Sequence, residues 1–303
     1  MFQYLGVVCL LAIVSVSCGN PIGNEVVDDQ QLVLAFVINR HGERTPDSDE
    51  LSLSNEQEKL RNLTAIEGLE GLTNVAMAAL YPPEAEQQWD EGVGKVWQPV
   101  PYTAVPLSED YLRYYSNCAP FTALMKAAKQ QSVLQEFRQF DDLIPKLKAL
   151  TGRNFTEDPL LFETLFDLMR SQVGLGLDIP EWAKPLLPRL GEAARLAYRL
   201  YFRTDEMKKI GGGVLLNNFI EAATAISKGK SVSKRLRLFS AHDFNIGALM
   251  EVARVRGDQS IPEYGAVFAL ELYKSRSTGE LGVLVILSSV ITLIWKLVFS
   301  SGS

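Results

Sequence analysis

Leu32-Val33-Leu34-Ala35-Phe36-Val37-Ile38, followed at once by Asn39-Arg40-His41-Gly42-Glu43-Arg44-Thr45-Pro46, is the stretch that decides the fold. Its first seven residues are an unbroken apolar run rich in β-formers, which suits a strand covered on both faces, as in a parallel sheet. A charged, histidine-bearing segment then leaves the carboxyl end of that strand. Further strands are predicted at 236–239 and at 266–272, where AVFALEL alternates. With helices between them, the fold class is α/β: a mostly parallel central sheet flanked by helices.

The middle third reads as helical from 121 to about 203. Leu160, Leu161, Thr164, Leu165 and Leu168 recur at helical spacing, and the proline-containing stretch 180–188 breaks the run. Gly211-Gly212-Gly213 is expected to precede a helix over 214–227. Asp243 is expected to N-cap the next one, with Phe244, Leu249, Val252 and Val255 on its apolar side. Residues 91–106, rich in proline and glycine, read as an extended loop. The domain division is therefore an α/β catalytic core over 20–120 and 205–280, with an α-helical insert at 121–204.

The chain has 303 residues, 47% of them hydrophobic, 30 Lys+Arg against 36 Asp+Glu, 3 Cys and 2 His. That balance excludes intrinsic disorder, and the acidic excess gives no basic face for nucleic acid. Residues 2–19 carry no charged side chain and end in small residues, so 1–19 reads as a secretory signal peptide. Cys9 and Cys18 leave with it, and Cys118 remains alone. Two widely separated histidines and no CxxC pair argue against a structural zinc site. Asn62-Leu63-Thr64 and Asn154-Phe155-Thr156 are glycosylation sequons at Asn62 and Asn154. Residues 281–299 are apolar apart from Lys296, and read either as a membrane anchor or as a buried strand followed by a second short apolar element.

Both histidines directly follow strand candidates, His41 after the first and His242 in Ser240-Ala241-His242-Asp243 after the second. Loops at the carboxyl ends of strands form the ligand crevice of an open α/β sheet, so the two motifs are expected to converge. Arg40 and Arg44 flank His41, and guanidinium forks match phosphate oxygens. An anion held there would set an electrophilic phosphorus beside a neutral imidazole, a competent nucleophile. His242 at a helix N-terminus adds a donor for the anion, and a protonated Asp243 could give its proton to a leaving alkoxide.

Arg40-His41-Gly42-Glu43-Arg44-Thr45-Pro46 resembles the RHGxRxP signature of the histidine acid phosphatases, within the phosphoglycerate-mutase-like superfamily. Ala79-Leu80-Tyr81-Pro82-Pro83, Trp97-Gln98-Pro99-Val100-Pro101, Leu107-Ser108-Glu109-Asp110, Gly212-Gly213-Val214-Leu215 and Ser240-Ala241-His242-Asp243 follow in family order. The flavour is that of the prostatic, lysosomal and insect secreted enzymes. The resemblance implies hydrolysis of phosphate monoesters, small ones or a phosphoprotein, with His41 forming a phosphohistidine and Asp243 protonating the leaving alcohol. It implies that Arg40, Arg44 and His242 hold phosphate oxygens, and that no metal or organic cofactor takes part. It further implies a secreted or lysosomal protein, often a homodimer.

The chain departs from the family pattern twice. Family members carry a helix and a strand ending in an RSTDxxRT-like segment, whose arginine is a further phosphate ligand. Here Gly71-Leu72-Thr73-Asn74 resembles the start of that region and Ala76-Met77-Ala78-Ala79-Leu80 what lies beyond it, with a junction near Val75. Arg61, before the gap, reads as a solvated helix residue. The alternative function is therefore a catalytically impaired, secreted relative that binds phosphate esters. Family members also carry cysteines beyond the strand equivalent to that ending near Tyr273, one of them the partner of the cysteine equivalent to Cys118. With none here, Cys118 is expected to be unpaired.

Overall fold

The computed structural model describes residues 29–42, 44–64, 88–89, 96–97, 105–132, 135–255, 260–288 and 292–297. The expected signal segment, the junction near Val75 and the Ala79-Leu80-Tyr81-Pro82-Pro83 match lie outside them.

The chain enters through β1 (Gln30–Arg40), then α1 (Ser48–Leu51) and α2 (Gln57–Thr64). A two-residue hairpin, β2 (Gln88–Trp89) and β3 (Val96–Trp97), places a strand inside the stretch expected to be a loop. A 3-10 turn at Tyr111–Arg113 runs into α3 (Tyr114–Asn117), α4 (Ala119–Ser132), α5 (Ile144–Thr151), α6 (Leu161–Gly174) and α7 (Leu187–Tyr198). The 180–188 stretch lies between α6 and α7 and runs into the first turn of α7, with Pro188 in that turn, so the break stands where the sequence places it. The chain closes with α8 (Asp205–Ser227), β4 (Leu236–Ala241), α9 (Asp243–Val252), β5 (Val267–Ser275), β6 (Leu281–Ser288) and β7 (Thr292–Leu297).

Among the described residues five strands form one sheet, in the order β4-β1-β5-β6-β7. The α/β class stands, but the mostly parallel sheet does not: among the described strands only β1 and β4 pair in parallel, and β1/β5, β5/β6 and β6/β7 are antiparallel. The connection from β5 to β6 explains part of this, because a turn over 276–280 with Gly279 at φ 75° is too short for a crossover and forces a hairpin. An apolar run reports burial on both faces and carries no information on strand direction. β1 is buried without interruption from Leu34 to Arg40.

Residues 281–288 and 292–297 are strands in register, with Val285 opposite Trp295. Of the two readings of the apolar tail, the strand is the one observed, although β6 is mostly half-buried. No helix among the described residues is long and apolar enough to cross a membrane.

Two large hydrophobic clusters carry most of the packing among the described residues, beside a small third one of Ala35, Val37, Val267 and Ala269 on β1 and β5. One gathers α4 to α7 around Phe121, Phe140, Phe162 and Leu165. The other packs α8 and α9 on the sheet through Phe36, Phe219, Ile246 and Phe268. At about 1.5–3 kcal/mol for each buried Leu, Ile or Phe, both are substantial. Met207 and Ala248 belong to the helical cluster, so α8 and α9 touch both.

The glycine triplet does not precede a helix; it lies inside α8, whose Thr204 cap accepts from Met207 N–H. Space explains the glycines. A Cβ on Gly212 would stand 2.3 Å from the Ala248 carbonyl oxygen, and one on Gly211 2.9 Å from the Ala248 and Tyr114 side chains. Gly211 and Gly212 thus let α8 lie against the helix that follows the second histidine. Cys118 is a half-buried free thiol. Asn62 is exposed on α2, whereas Asn154 is half-buried in a turn whose Oδ1 accepts from Thr156 N–H at 3.2 Å.

Candidate active site

The parallel register of β1 and β4 sets Arg40 opposite Ala241, so the next residue of each chain, His41 and His242, emerges at the same end of the sheet. The backbone N–H of His41 donates to the Ala241 carbonyl at 3.0 Å, extending the ladder by one bond. The two imidazole rings meet edge to face with centroids 5.2 Å apart. The convergence expected from the sequence is thus present. His41 Nδ1–H donates to the Gly42 carbonyl at 2.8 Å, which fixes the tautomer and leaves Nε2 with its lone pair.

His242, in extended backbone at φ −117°, ψ 166°, is the N-cap of α9, not Asp243 as expected. Asn245 Oδ1 accepts from His242 N–H at 3.1 Å. Asp243 is displaced into the first turn because its carboxylate is drawn to Arg40, Oδ2 to Nη2 at 3.1 Å, while Oδ1 accepts from Phe244 N–H at 2.8 Å. Its carbonyl accepts from Tyr198 O–H, and Asn245 Nδ2 donates to the Leu112 carbonyl at 2.6 Å. The mouth of α9 is therefore bolted to both α7 and the turn at Tyr111–Arg113.

The sequence reading missed three residues of this site. Asp167, on α6, lies between the two arginines, 3.0 Å from Arg40 Nη2 and 3.1 Å from Arg44 Nη2. Glu50, on α1, accepts from both terminal nitrogens of Arg44. Tyr264 covers the Arg40 guanidinium, 4.2 Å from Cζ to ring centroid, and its hydroxyl donates to Asp167 at 3.3 Å. Acids on helix faces among apolar neighbours give no motif; only the buried face they share with Leu168 and Leu51 hints at them. Arg40 is 1% exposed, donates also to the Pro262 carbonyl, and its Nε has no partner among the described residues. Arg44 remains partly open to solvent.

Burial pushes the His41 imidazole down to about 3, and Arg40, His242 and Arg44 add to this against the Gly42 carbonyl. His242 moves down from the same first cause, opposed by Asp243. Burial pushes Glu50 up to about 7 against the pull of Arg44. Burial also raises Asp167, but Arg40, Arg44 and Arg170 outweigh it and hold the carboxyl below its ordinary range. Two neutral imidazoles therefore face a cluster of paired arginines and acids. No cluster of three metal-ligating side chains occurs among the described residues.

No protein-family model matches the chain. It is 30% identical over 208 residues to venom acid phosphatase Acph-1 of Apis mellifera, covering 67% of this chain and 53% of that protein. Identity to human prostatic acid phosphatase is 29% over 218 residues, 68% of this chain and 53% of the other. The chain belongs to the histidine acid phosphatase family. Human lysosomal acid phosphatase, at 28% identity over 66% of this chain and 48% of its own, is a further family relative. The chain spans about half the length of the curated family proteins it matches. The fold agrees: the Citrobacter braakii phytase superposes with TM-score 0.56 at 13% identity over 86% of each chain. The Klebsiella sp. ASR1 phytase gives 0.53 at 14% identity over 86% of this chain and 82% of the other.

Proposed function

We propose that this protein is an acid phosphatase of the secretory pathway, hydrolysing phosphate monoesters through a phosphohistidine on His41. The observation that carries the reading is the gathering of His41, His242, Arg44 and Asp243 at one end of β1 and β4. With Nδ1–H held by Gly42, His41 Nε2 attacks phosphorus as the bond to the ester oxygen breaks. Asp243, when protonated, gives its proton to the departing alkoxide. Water then attacks the phosphohistidine, its proton passes to Asp243, and phosphate leaves from a regenerated His41. Arg44 and His242 hold phosphate oxygens, while Arg40, expected to do the same, is buried and paired with Asp167 and Asp243.

The names of the relatives support the phosphomonoester class, and no cofactor enters any step. The test is turnover of p-nitrophenyl phosphate at about pH 5 by the purified chain beside His41→Ala. The expected result is hydrolysis that vanishes in the variant.

One observation favours a second reading, a catalytically impaired binder of phosphate esters. Both motif arginines are already engaged by carboxylates, Arg40 by Asp167 and Asp243, Arg44 by Asp167 and Glu50. A folded wild-type chain that binds phosphate without turnover selects this reading.

A further inference from the structure

Arg40 and Arg44 carry two positive charges, and Asp167, Asp243 and Glu50 are the acids that pair with them. A phosphate dianion entering this centre meets little uncommitted positive charge. Arg170, the next cation on α6, is itself paired with Glu263 at 2.6 Å.

Arg113 is different. Its guanidinium makes no ion pair and no hydrogen bond among the described residues; it lies over the Tyr115 ring, 5.9 Å from the centroid. The Tyr115 ring in turn stands edge-on to His242, at 6.3 Å between centroids. The backbone on either side of Arg113 is pinned to the first turn of α9. The Leu112 carbonyl accepts from Asn245 Nδ2 at 2.6 Å, and Tyr114 O–H donates to the Phe244 carbonyl at 3.1 Å. Asp110, three residues before Arg113, caps the 3-10 turn, where its Oδ1 accepts from Leu112 N–H at 2.9 Å. A free cation on a fixed backbone thus stands beside the helix mouth that carries His242 and Asp243. Its charge also reaches the imidazole, one of several cations that favour the neutral ring of His242.

The geometry points to Arg113 as the residue that takes a phosphate oxygen of the substrate on the His242 side of the site. This rests on the phosphatase reading and adds to it a binding contribution from outside both histidine motifs. The guanidinium swings from the Tyr115 face toward the anion and gives the site the positive charge that the committed pairs withhold.

The experiment measures inorganic phosphate binding by calorimetry and p-nitrophenyl phosphate kinetics for the wild-type chain, Arg113→Ala, Arg113→Lys and Arg44→Ala. The expected result is phosphate affinity weakened about tenfold or more in Arg113→Ala, with KM raised more than kcat is lowered and partial recovery in Arg113→Lys. Unchanged circular dichroism and melting temperature are expected, because among the described residues the side chain makes no ion pair or hydrogen bond and lies over the Tyr115 ring. Phosphate affinity unchanged in Arg113→Ala but lost in Arg44→Ala overturns the inference and leaves the phosphatase site intact. A folded wild-type chain that neither binds phosphate nor turns over substrate overturns the phosphatase reading itself, and this inference with it.

Discussion

Arg40 Nη2 stands 3.1 Å from the Asp243 carboxylate, an ion pair with side chains 1% and 6% exposed that joins the first histidine motif to the second. Two segments far apart in sequence are thereby locked into one centre. Removing one partner of such a pair leaves an uncompensated buried charge, a cost of about 3–5 kcal/mol. Asp243→Asn keeps the shape but discards the charge and the transferable proton. It is expected to lower the urea unfolding free energy by about 3 kcal/mol and to slow p-nitrophenyl phosphate turnover at least about a hundredfold. Wild-type turnover in this variant would remove Asp243 as the donor.

The imidazoles make stability depend on pH. His41 is pushed from 6.5 to about 3 by burial first, and His242 is lowered too. Between those values the unfolded chain binds a proton that the folded chain refuses. The contribution is thus complete above about pH 6.5 and lost as pH falls toward 3. Urea unfolding from pH 7 to pH 4 should show stability falling with pH, and the fall should be shallower in His41→Gln and shallower still with His242→Gln added.

Glu50 acts in the opposite sense. Burial raises it from 4.5 to about 7, so its contribution to stability is complete below about pH 4.5 and lost as pH rises through 7. Above pH 7 the carboxylate also neutralises Arg44 more fully. The ratio of KM in wild type to KM in Glu50→Gln is expected to rise as pH passes 7, and equal KM profiles would refute this role.

Gly212→Ala tests the helix contact behind the site. The added Cβ meets a backbone oxygen of α9 at 2.3 Å, so α8 or α9 must shift. Overpacking of this kind costs about 1–3 kcal/mol. A lower melting temperature together with reduced turnover is expected, since α9 carries Asp243. Gly213→Ala, whose Cβ would meet only the Lys209 side chain at 3.9 Å, serves as the control, with stability at or up to about 1 kcal/mol above wild type because alanine is the better helix former.

Much of this was legible from the residues alone. The run from Leu32 to Ile38 is the buried β1, the break at 180–188 separates α6 from α7, and His41 and His242 meet because each follows a strand. Strand direction was not legible, since β1 and β5 are buried on both faces whether their neighbours run parallel or antiparallel. Glycine between helices and glycine inside a helix also look alike until the neighbour appears; Gly212 is explained by Ala248, which no local pattern names. Asp167 and Glu50 were hidden for the same reason, because an acid one turn from buried leucines declares itself only when its arginine is found.

The strand order β4-β1-β5 seats the first of the described strands between two that come late in the chain. Its partners span residues 236–241 and 267–275, so neither edge of β1 is closed until most of the polypeptide has been made. Such long-range closure slows folding. For a chain emerging from the ribosome, the histidine pair is therefore a late product: the helices of the middle third can collapse first, while the segment bearing His41 waits for its counterpart.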